Sequence, residues 1–250
     1  MTGSNTSAST MNGTTTAATL AAVREATAVL TGVVERFAET DFTRPSLLPG
    51  WTRGHVVTHL ARNADALVNL LTWARTGIEH AAYPSWADRN ADIADGASRL
   101  GQIQREDLVA ACGRFMVEAT RLGHEDWAAR VQNSSGTPVA AAQIPQMRLF
   151  EVWTHLVDLD FEVGFDAVPT GHLDLLLDRA LLPHRSRTDG HPLRLTVSLP
   201  DGSQRSWELA IAQDADSEVS GSAAAALTWL TGRGRPASLS GPLPDLGAWG

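Results

Sequence analysis

The amino-acid sequence predicts an α+β protein in which a four-helix bundle precedes a small domain of mixed helix and strand. Long segments of the first two thirds of the chain repeat apolar residues every three or four positions, which is the period of amphipathic helices. After Gly164 the period changes to strict alternation, in Leu193, Leu195, Val197 and Leu199, as in a half-buried strand. Helices first and strands later favour a bundle followed by a small α+β domain.

Three segments follow from these patterns: a tail at 1–16, the four-helix bundle at 17–165 and the C-terminal domain at 166–250. The first segment is rich in Ser, Thr, Gly and Asn and is nearly uncharged. It has neither the basic start nor the apolar core of a signal peptide, so we expect a disordered tail.

The bundle is predicted to begin with two helices. The first ends before the Arg44-Pro45 and Leu48-Pro49-Gly50 breakers. Its apolar face consists of Leu20, Val23, Ala26, Leu30, Val34 and Phe37. Thr52 can cap the second helix, which we expect to run to about Arg75 with Gly77 just beyond its end.

A long loop and two further helices complete the predicted bundle. The loop spans about 76–101 and contains Tyr83, Pro84, Trp86 and Arg89; a loop of this length in a compact domain is often functional. The third helix has one apolar face, made of Leu108, Ala111, Phe115, Ala119 and Leu122. A polar stretch at 132–138 leads to the fourth helix, expected from about Pro145 to Gly164.

The C-terminal part is predicted to contain a short helix, a hairpin, a third strand and a final helix. The helix covers about 173–182. The strand at 193–199 returns through a turn at 200–202 into a second strand around 207–211. A third strand is expected at 218–220, and Ser222 caps an Ala-rich helix that ends at Thr231.

Composition excludes several classes of function. The chain of 250 residues is 43% hydrophobic and 19% charged, as in globular proteins, and is long enough to bury a substantial core. Its net charge of −8 and its lack of a basic stripe argue against a nucleic-acid partner. No apolar run approaches the length of a membrane span, and the single cysteine, Cys112, excludes a disulfide framework. We therefore expect a cytoplasmic protein without a membrane partner.

One set of residues indicates chemistry. Glu151 and His155 are four residues apart, so a helix places them one turn apart on the same face. Together with His59 they offer one carboxylate and two imidazoles, which suit a divalent ion such as zinc. Three protein ligands leave a coordination position for a reactant. A Glu-x-x-x-His spacing also arises by chance on solvated helix faces, so both interpretations stay open at this point.

The neighbouring residues refine this hypothesis. His59 lies within the inward-facing arc of the second helix, whereas His55 lies at the edge of that arc, so we favour His59 as the functional histidine. The competing interpretation is that His59 is a core histidine with a satisfied hydrogen bond. On the fourth helix a polar stripe is either plain surface or the wall of a wet pocket. The stripe consists of Met147, Glu151, Thr154, His155 and Asp158. Asp158 either orients the imidazole of His155 or is exposed to solvent.

Several short motifs of this chain form a recognisable set. They are L-P-G-W-T-R-G-H-V-V-T-H at 48–59, R-N-A-D-A-L at 62–67 and E-V-W-T-H-L-V-D at 151–158, together with segments at 73–77, 89–90, 219–222 and 232–234. In this combination the sequence resembles the mycothiol-dependent maleylpyruvate isomerases of actinobacteria. The resemblance implies a DinB-like metal-binding four-helix bundle and a small C-terminal domain, which in turn resembles sterol-carrier-like folds.

Carried over residue by residue, the family's metal ligands fall on His59, Glu151 and His155, and its active-site arginines fall on Arg89 and Arg233. The match at Arg233 leaves Arg235, two residues further on, as an alternative. The implied cofactors are a divalent metal, with zinc favoured, and mycothiol. The implied reaction is the cis–trans isomerisation of maleylpyruvate to fumarylpyruvate, a step of gentisate catabolism, by thiolate addition, bond rotation and elimination. The arginines are suited to gripping the two carboxylates of this diacid.

Cys112 is not expected to supply the thiol, because it lies in the middle of a helix among apolar neighbours and is predicted to pack in the core. Two alternatives to an isomerase stay open. A mycothiol S-transferase acting on other electrophiles would share the metal site but lack the paired arginines. Outside enzymes, the chain would be a metal- or lipid-binding module.

Overall fold

The computed structural model describes residues 5–185, 187–188, 190–212 and 217–246. The chain divides into two compact units, Met1–Phe161 and Glu162–Gly250. Helices dominate the first unit, and a three-stranded sheet with helices forms the second. The predicted α+β fold class, with its helices first, is therefore confirmed.

Over its described residues, 5–161, the first unit consists of six helices and one short hairpin. The helices are α1 (Asn5–Glu35), α2 (Glu39–Phe42), α3 (Arg53–Thr76), α4 (Trp86–Ala97), α5 (Gly101–Arg121) and α6 (Ile144–Asp158). Strands β1 (Arg130–Gln132) and β2 (Pro138–Ala140) pair antiparallel between α5 and α6, in the stretch predicted only as polar. Single 3-10 turns at Asp126–Ala128 and Ala141–Gln143 flank the hairpin.

Helices α1, α3, α5 and α6 form the four-helix bundle. Both α1 and α3 pack against α5 and α6. The buried faces are those that the apolar periodicity indicates, since Ala26 and Leu30 of α1 and Phe115 of α5 are almost completely buried. Each large apolar side chain removed from water in this way contributes roughly 1.5–3 kcal/mol to the stability of the fold.

The N-terminal part of α1 differs from the prediction. The helix begins at Asn5, so residues 5–16, expected to form a disordered tail, are helical, whereas residues 1–4 lie outside the described residues. Extending a helix that packing has already fixed costs little, because only its nucleation is unfavourable.

By length and composition alone, the segment Thr15–Glu35 is apolar enough to cross a membrane, which the sequence did not lead us to expect. Core helices of bundles meet the same description. Here the inner face of the segment, including Val23 and Leu30, is buried within the bundle. The absence of a membrane partner stays a prediction.

Helix α3 has the bounds that its capping residues predict. The Thr52 hydroxyl accepts a hydrogen bond from the His55 backbone N–H at 3.4 Å, and the Thr52 N–H donates to Nδ1 of His55 at 3.2 Å. At the other end Gly77 adopts φ 71° and donates to the carbonyl of Trp73 at 2.8 Å. These two caps fix the register of the helix that carries His59.

The predicted long loop at 76–101 is wrong for its central part, which forms α4. Ser85 caps this helix by accepting a hydrogen bond from the Asp88 N–H at 3.0 Å. Only Ile93 and Gly96 are buried, so the apolar pattern was too short to reveal the helix. At Gly96 the contact with α3 is so close that a Cβ would lie 2.4 Å from Cγ2 of Thr58.

Helix α6 ends at Asp158, earlier than the predicted end near Gly164. The following residues Asp160 and Glu162 have positive φ values of 49° and 60°, which a helix does not tolerate. Arg53 of α3 donates to the carbonyls of Leu159, at 2.7 Å, and of Asp160. These bonds satisfy carbonyls left unpaired at the helix end and tie α6 to α3.

In the second unit α7 (Thr170–Arg185) is followed by β3 (His191–Ser198), β4 (Gln204–Ala212), β5 (Ser217–Ser222) and α8 (Ala223–Leu230), with a 3-10 turn at Phe165–Ala167 before α7. The strand order is β4-β3-β5; β3 pairs antiparallel with β4 and parallel with β5. Leu193, Leu195 and Val197 are fully buried, which confirms the predicted alternation. Ser222 caps α8 by accepting from the Ala225 N–H at 3.3 Å.

Candidate metal centre

Three ligand-type side chains from two helices of the bundle meet at one point. Nε2 of His59, on α3, lies 3.1 Å from Oε2 of Glu151 and 3.0 Å from Nε2 of His155, both on α6. Nε2 of His155 lies 3.4 Å from the same Glu151 oxygen. One ligand atom from each residue falls within 4.8 Å of the others. The structure thus brings together the three residues that the sequence singled out.

The two histidines of α3 have different roles. His59 is 5% exposed, and its ring packs edge-on against Trp51 at a centroid distance of 5.7 Å. His55 instead uses Nδ1 to accept the hydrogen bond that completes the cap of α3. His59 is therefore the histidine of α3 that faces the cluster, as its position on the inward side of the helix predicts.

Asp158 orients one of the imidazoles. Its carboxylate is completely buried and accepts a hydrogen bond from Nδ1 of His155 at 2.8 Å. A carboxylate can only accept, so the proton sits on Nδ1 and the other ring nitrogen, Nε2, faces Glu151 and His59. Of the two interpretations of Asp158 from sequence, solvent exposure is wrong.

The electrostatics of the cluster favour a carboxylate beside a neutral imidazole. Burial and, to a smaller extent, the nearby His155 together lower the pKa of His59 to about 4, against the opposing effect of its hydrogen bond to Glu151. Burial alone would raise the pKa of Glu151, but hydrogen bonds to both histidines hold it well below its usual value. Burial would lower the pKa of His155, but its bonds to Asp158 and Glu151 outweigh this and raise it.

This donor set fits a divalent cation. Two imidazole nitrogens face each other at 3.0 Å, a separation at which only one proton fits between them, and a carboxylate oxygen lies beside both. Nitrogen and carboxylate ligands from three side chains are the set that zinc enzymes use when one coordination position stays open to a reactant. The residues that would hold the ion are His59, Glu151 and His155.

Arg89, which the family resemblance placed in the site, lies beside the cluster. Its Nη2 donates to Nδ1 of His59 at 3.1 Å, since a guanidinium has no acceptor. The same guanidinium stacks over the rings of Tyr83 and Trp86, at 5.7 and 5.4 Å from the ring centroids. Because Trp86 and Arg89 lie one turn apart on α4, the helix missed in the sequence is what positions this arginine.

Arg233 lies in the second unit, directly after α8. Gly232 adopts φ 71°, and the Arg233 N–H donates to the carbonyl of Thr228 at 2.9 Å, so the backbone at this position is fixed by a turn. Arg235, the other arginine considered for the same role, is exposed and donates to the carbonyl of Leu243 at 3.2 Å. The part of Arg233 in the site stays a prediction.

Sequence reasoning missed Arg148, which lies one turn before Glu151 on α6. Its side chain is 1% exposed and donates to the carbonyl of Leu60, to Oδ1 of Asn63 and to Sγ of Cys112, at 2.9, 2.8 and 3.2 Å. The only signal in the sequence was an arginine next to the apolar face of a helix. Cys112 packs in the core as predicted, but with a guanidinium among its neighbours.

Comparisons with known proteins agree with this fold. The model of the mycothiol maleylpyruvate isomerase N-terminal domain family matches residues 23–160. Two similar solved structures are crystal structures of a mycothiol-dependent maleylpyruvate isomerase and of its histidine-to-alanine mutant. Each is 29% identical, has a TM-score of 0.81 and is matched over 92% of this chain and 95% of its own. No curated protein sequence matches significantly. Since the family model spans more than half of its length, this chain belongs to the mycothiol maleylpyruvate isomerase family.

Proposed function

We propose that this protein isomerises maleylpyruvate to fumarylpyruvate with the help of mycothiol, at a divalent metal ion, zinc by preference, held by His59, Glu151 and His155. The observation that carries the proposal is the convergence of these three ligand atoms within 4.8 Å beside the guanidinium of Arg89. Membership of a family named for this activity supports the choice of substrate and thiol.

The protein's residues prepare the site for two bound groups. When bound, the metal supplies a Lewis acid that favours the ionised thiol or polarises a substrate oxygen, and mycothiol supplies the nucleophile whose addition permits rotation about the former double bond. Asp158 holds a proton on Nδ1 of His155 and keeps Nε2 turned to the centre. Burial lowers the pKa of His59, so the ring is neutral at neutral pH; binding a metal through Nε2 then requires its proton on Nδ1, which replaces the hydrogen bond accepted from Arg89.

The arginines bind and orient the substrate in this proposal. Arg89 places a permanent positive charge at the edge of the centre, where a carboxylate of the diacid binds and negative charge builds up as the thiol adds. A hydrogen bond to a charged group contributes about 1.5–3 kcal/mol. Arg233 is proposed to bind the second carboxylate.

The chain's own thiol does not fit the role of nucleophile. Cys112 is the single cysteine of the sequence, it is 5% exposed, and its sulfur contacts Arg148 in the bundle core. A buried thiol in this position cannot reach a substrate, so a thiol from solution has to supply the nucleophile.

The test is an assay of purified, zinc-loaded protein that follows the absorbance of maleylpyruvate with and without mycothiol. We expect isomerisation only when both the metal and the thiol are present, and none in the His59→Ala variant. Conversion without mycothiol would contradict the proposal. Consumption of mycothiol with formation of a stable conjugate, instead of fumarylpyruvate, would favour the S-transferase.

A further inference from the structure

A cavity of about 260 Å³ opens in the first unit next to Arg89. Its walls come from the end of α3, the connection that follows it, the start of α4 and the turn of the β1–β2 hairpin. The side chains that carry the argument are Trp73, Glu79, Tyr83, Trp86, Asn133 and Ser134, all of which line the cavity. Neither the three proposed metal ligands nor the two arginines proposed to bind the diacid line this cavity.

Arg89 connects this cavity to the metal centre. One guanidinium contacts Nδ1 of His59 at 3.1 Å and stacks over Tyr83 and Trp86, whose rings line the cavity. The guanidinium of Arg89 therefore contacts both one of the clustered imidazoles and two of the rings that line the cavity. A part of a ligand in this cavity that extends past Arg89 would reach the centre.

The lining indicates a neutral ligand with many hydroxyl groups. Three aromatic side chains, of Trp73, Tyr83 and Trp86, line the cavity, and aromatic rings are the surfaces against which the C–H faces of a sugar ring pack. Amide, hydroxyl and carboxylate groups in the same lining can accept or donate hydrogen bonds to sugar hydroxyls. Among the described residues that line the cavity, Glu79 is the one charged side chain, and it is negative. A dicarboxylate is thus disfavoured here and belongs on the Arg89 side of the site.

We propose that this cavity binds the sugar part of mycothiol, which is a cysteine derivative of an amino sugar linked to inositol. The inference rests on the proposed function and adds the place where the thiol cofactor is recognised. The cavity is smaller than the ~300–1,000 Å³ typical of pockets that enclose a whole ligand, which fits a site for one part of an extended molecule. The cysteinyl end then points past Arg89 towards the metal centre.

The deciding experiment measures binding of a probe that carries no thiol, glucosaminyl-inositol, by titration calorimetry of zinc-loaded protein. We expect Trp86→Leu to weaken binding about tenfold, equivalent to roughly 1.4 kcal/mol, and Trp86→Phe to restore most of it because a flat ring remains. Trp86 is 56% exposed, so neither change threatens the fold. Leu100→Ala, at an exposed position outside the cavity lining, is the matched control and should bind as the unaltered protein does.

Trp86 also stacks against Arg89, so Trp86→Leu changes both the cavity lining and the surroundings of this arginine. A second variant separates these two effects. Glu79 lines the cavity, and the described contacts of Arg89 do not include it; Glu79→Ala should weaken the probe and raise KM for mycothiol while KM for maleylpyruvate stays unchanged. Equal binding of the probe to the unaltered protein and to Trp86→Leu, or no binding at all, would overturn the inference. Trp86-dependent binding without isomerisation of maleylpyruvate would instead contradict the proposed function and leave the sugar site standing.

Discussion

The two histidines at the centre of the bundle lie on facing helices, His59 on α3 and His155 on α6. His59 and His155 bring two ring nitrogens to 3.0 Å from each other, next to a carboxylate. We expect His155→Ala to lose most of its bound divalent metal while the helical circular dichroism signal stays near that of the unaltered protein. His80→Ala, an exposed histidine outside the cluster, should keep full metal occupancy when both are measured by elemental analysis. Full occupancy in His155→Ala would remove this residue from the ligand set.

Asp158 tests whether a residue that is not itself a ligand supports metal binding at the same centre. Its buried carboxylate fixes the ring of His155, and loss of such a partner typically weakens metal binding about 10–100-fold. We expect this loss in Asp158→Asn, measured by competition with a chelator. Asp160→Asn changes the same group two residues away at an exposed position with positive φ, which asparagine tolerates, and should leave the affinity unaltered. An unchanged affinity in Asp158→Asn would show that the carboxylate does not act through the imidazole.

Cys112 is expected to be dispensable for catalysis but not for the core. Its sulfur accepts a hydrogen bond from the buried guanidinium of Arg148 at 3.2 Å. Cys112→Ser retains an acceptor and should keep most activity and stability, whereas Cys112→Val leaves a buried donor unpaired and should cost about 1–3 kcal/mol. Chemical denaturation of the two variants measures this difference. Loss of turnover in a folded, metal-loaded Cys112→Ser would mean that the nucleophile is internal.

At the scale of single residues, the sequence predicted some parts of the site and not others. Two ligands one turn apart and an inward-facing histidine were readable from periodicity, because helix geometry alone brings them to the correct faces. The burial of Asp158 and Arg148 could not be predicted from periodicity, because it depends on which neighbours the folded bundle places around them. Arg89 was assigned through family resemblance, because spacing alone does not distinguish it from a surface charge.

Between elements, Glu118 ties α5 to α3. It accepts hydrogen bonds from Arg75 at 2.8 Å and Thr72 at 3.2 Å, both on α3, and from Arg121 at 3.0 Å. Burial alone would raise the pKa of this carboxyl, but the bonds from the two arginines and the threonine outweigh it and hold the pKa below its usual value. A lowered pKa in the folded state means that the charged carboxylate stabilises the fold above the pKa of the unfolded chain.

We therefore expect Glu118→Gln to lower the free energy of unfolding by about 1–2 kcal/mol at neutral pH, since both arginines are partly exposed and the contacts are partly screened. The difference from the unaltered protein should shrink as the pH falls through the folded-state pKa of Glu118, because both carry an uncharged group there. Urea denaturation at several pH values measures it. Glu106→Gln on the same helix, at an exposed position, should show no such difference; a pH-independent gap for Glu118→Gln would contradict the electrostatic origin.

Elements with long apolar faces were predictable, and short ones were not. The bundle helices and the β3–β4 hairpin follow the expected periodicity because each buries one continuous face. Helix α4 buries only Ile93 and Gly96, and the β1–β2 hairpin has three residues in each strand, so neither yields a pattern long enough to recognise. The end of α6 depends on capping by Arg53, which is far away in sequence.

For the whole molecule, the central question is whether the second unit contributes to the reaction, and Arg233 tests it. The turn at Gly232 and the bond from its own N–H to Thr228 fix its backbone. Its proposed role, binding the second carboxylate of the diacid, comes from family resemblance, since periodicity and spacing say nothing about how distant segments cooperate. A forked contact with a carboxylate is worth about 1.5–3 kcal/mol, so Arg233→Ala should lower kcat/KM for maleylpyruvate by roughly one to two orders of magnitude.

The metal content of Arg233→Ala should equal that of the unaltered protein, because a guanidinium is not a ligand in this centre. Arg233→Lys should recover only part of the activity, since an ammonium group cannot make the forked contact. Arg235→Ala is the matched control two residues on: its side chain is exposed, and the change should leave kcat/KM unaltered. Equal losses in the two alanine variants would point to a general effect of charge. An unaltered kcat/KM in Arg233→Ala would show that the first unit alone binds the diacid, and would favour a transferase acting on substrates with a single anionic group.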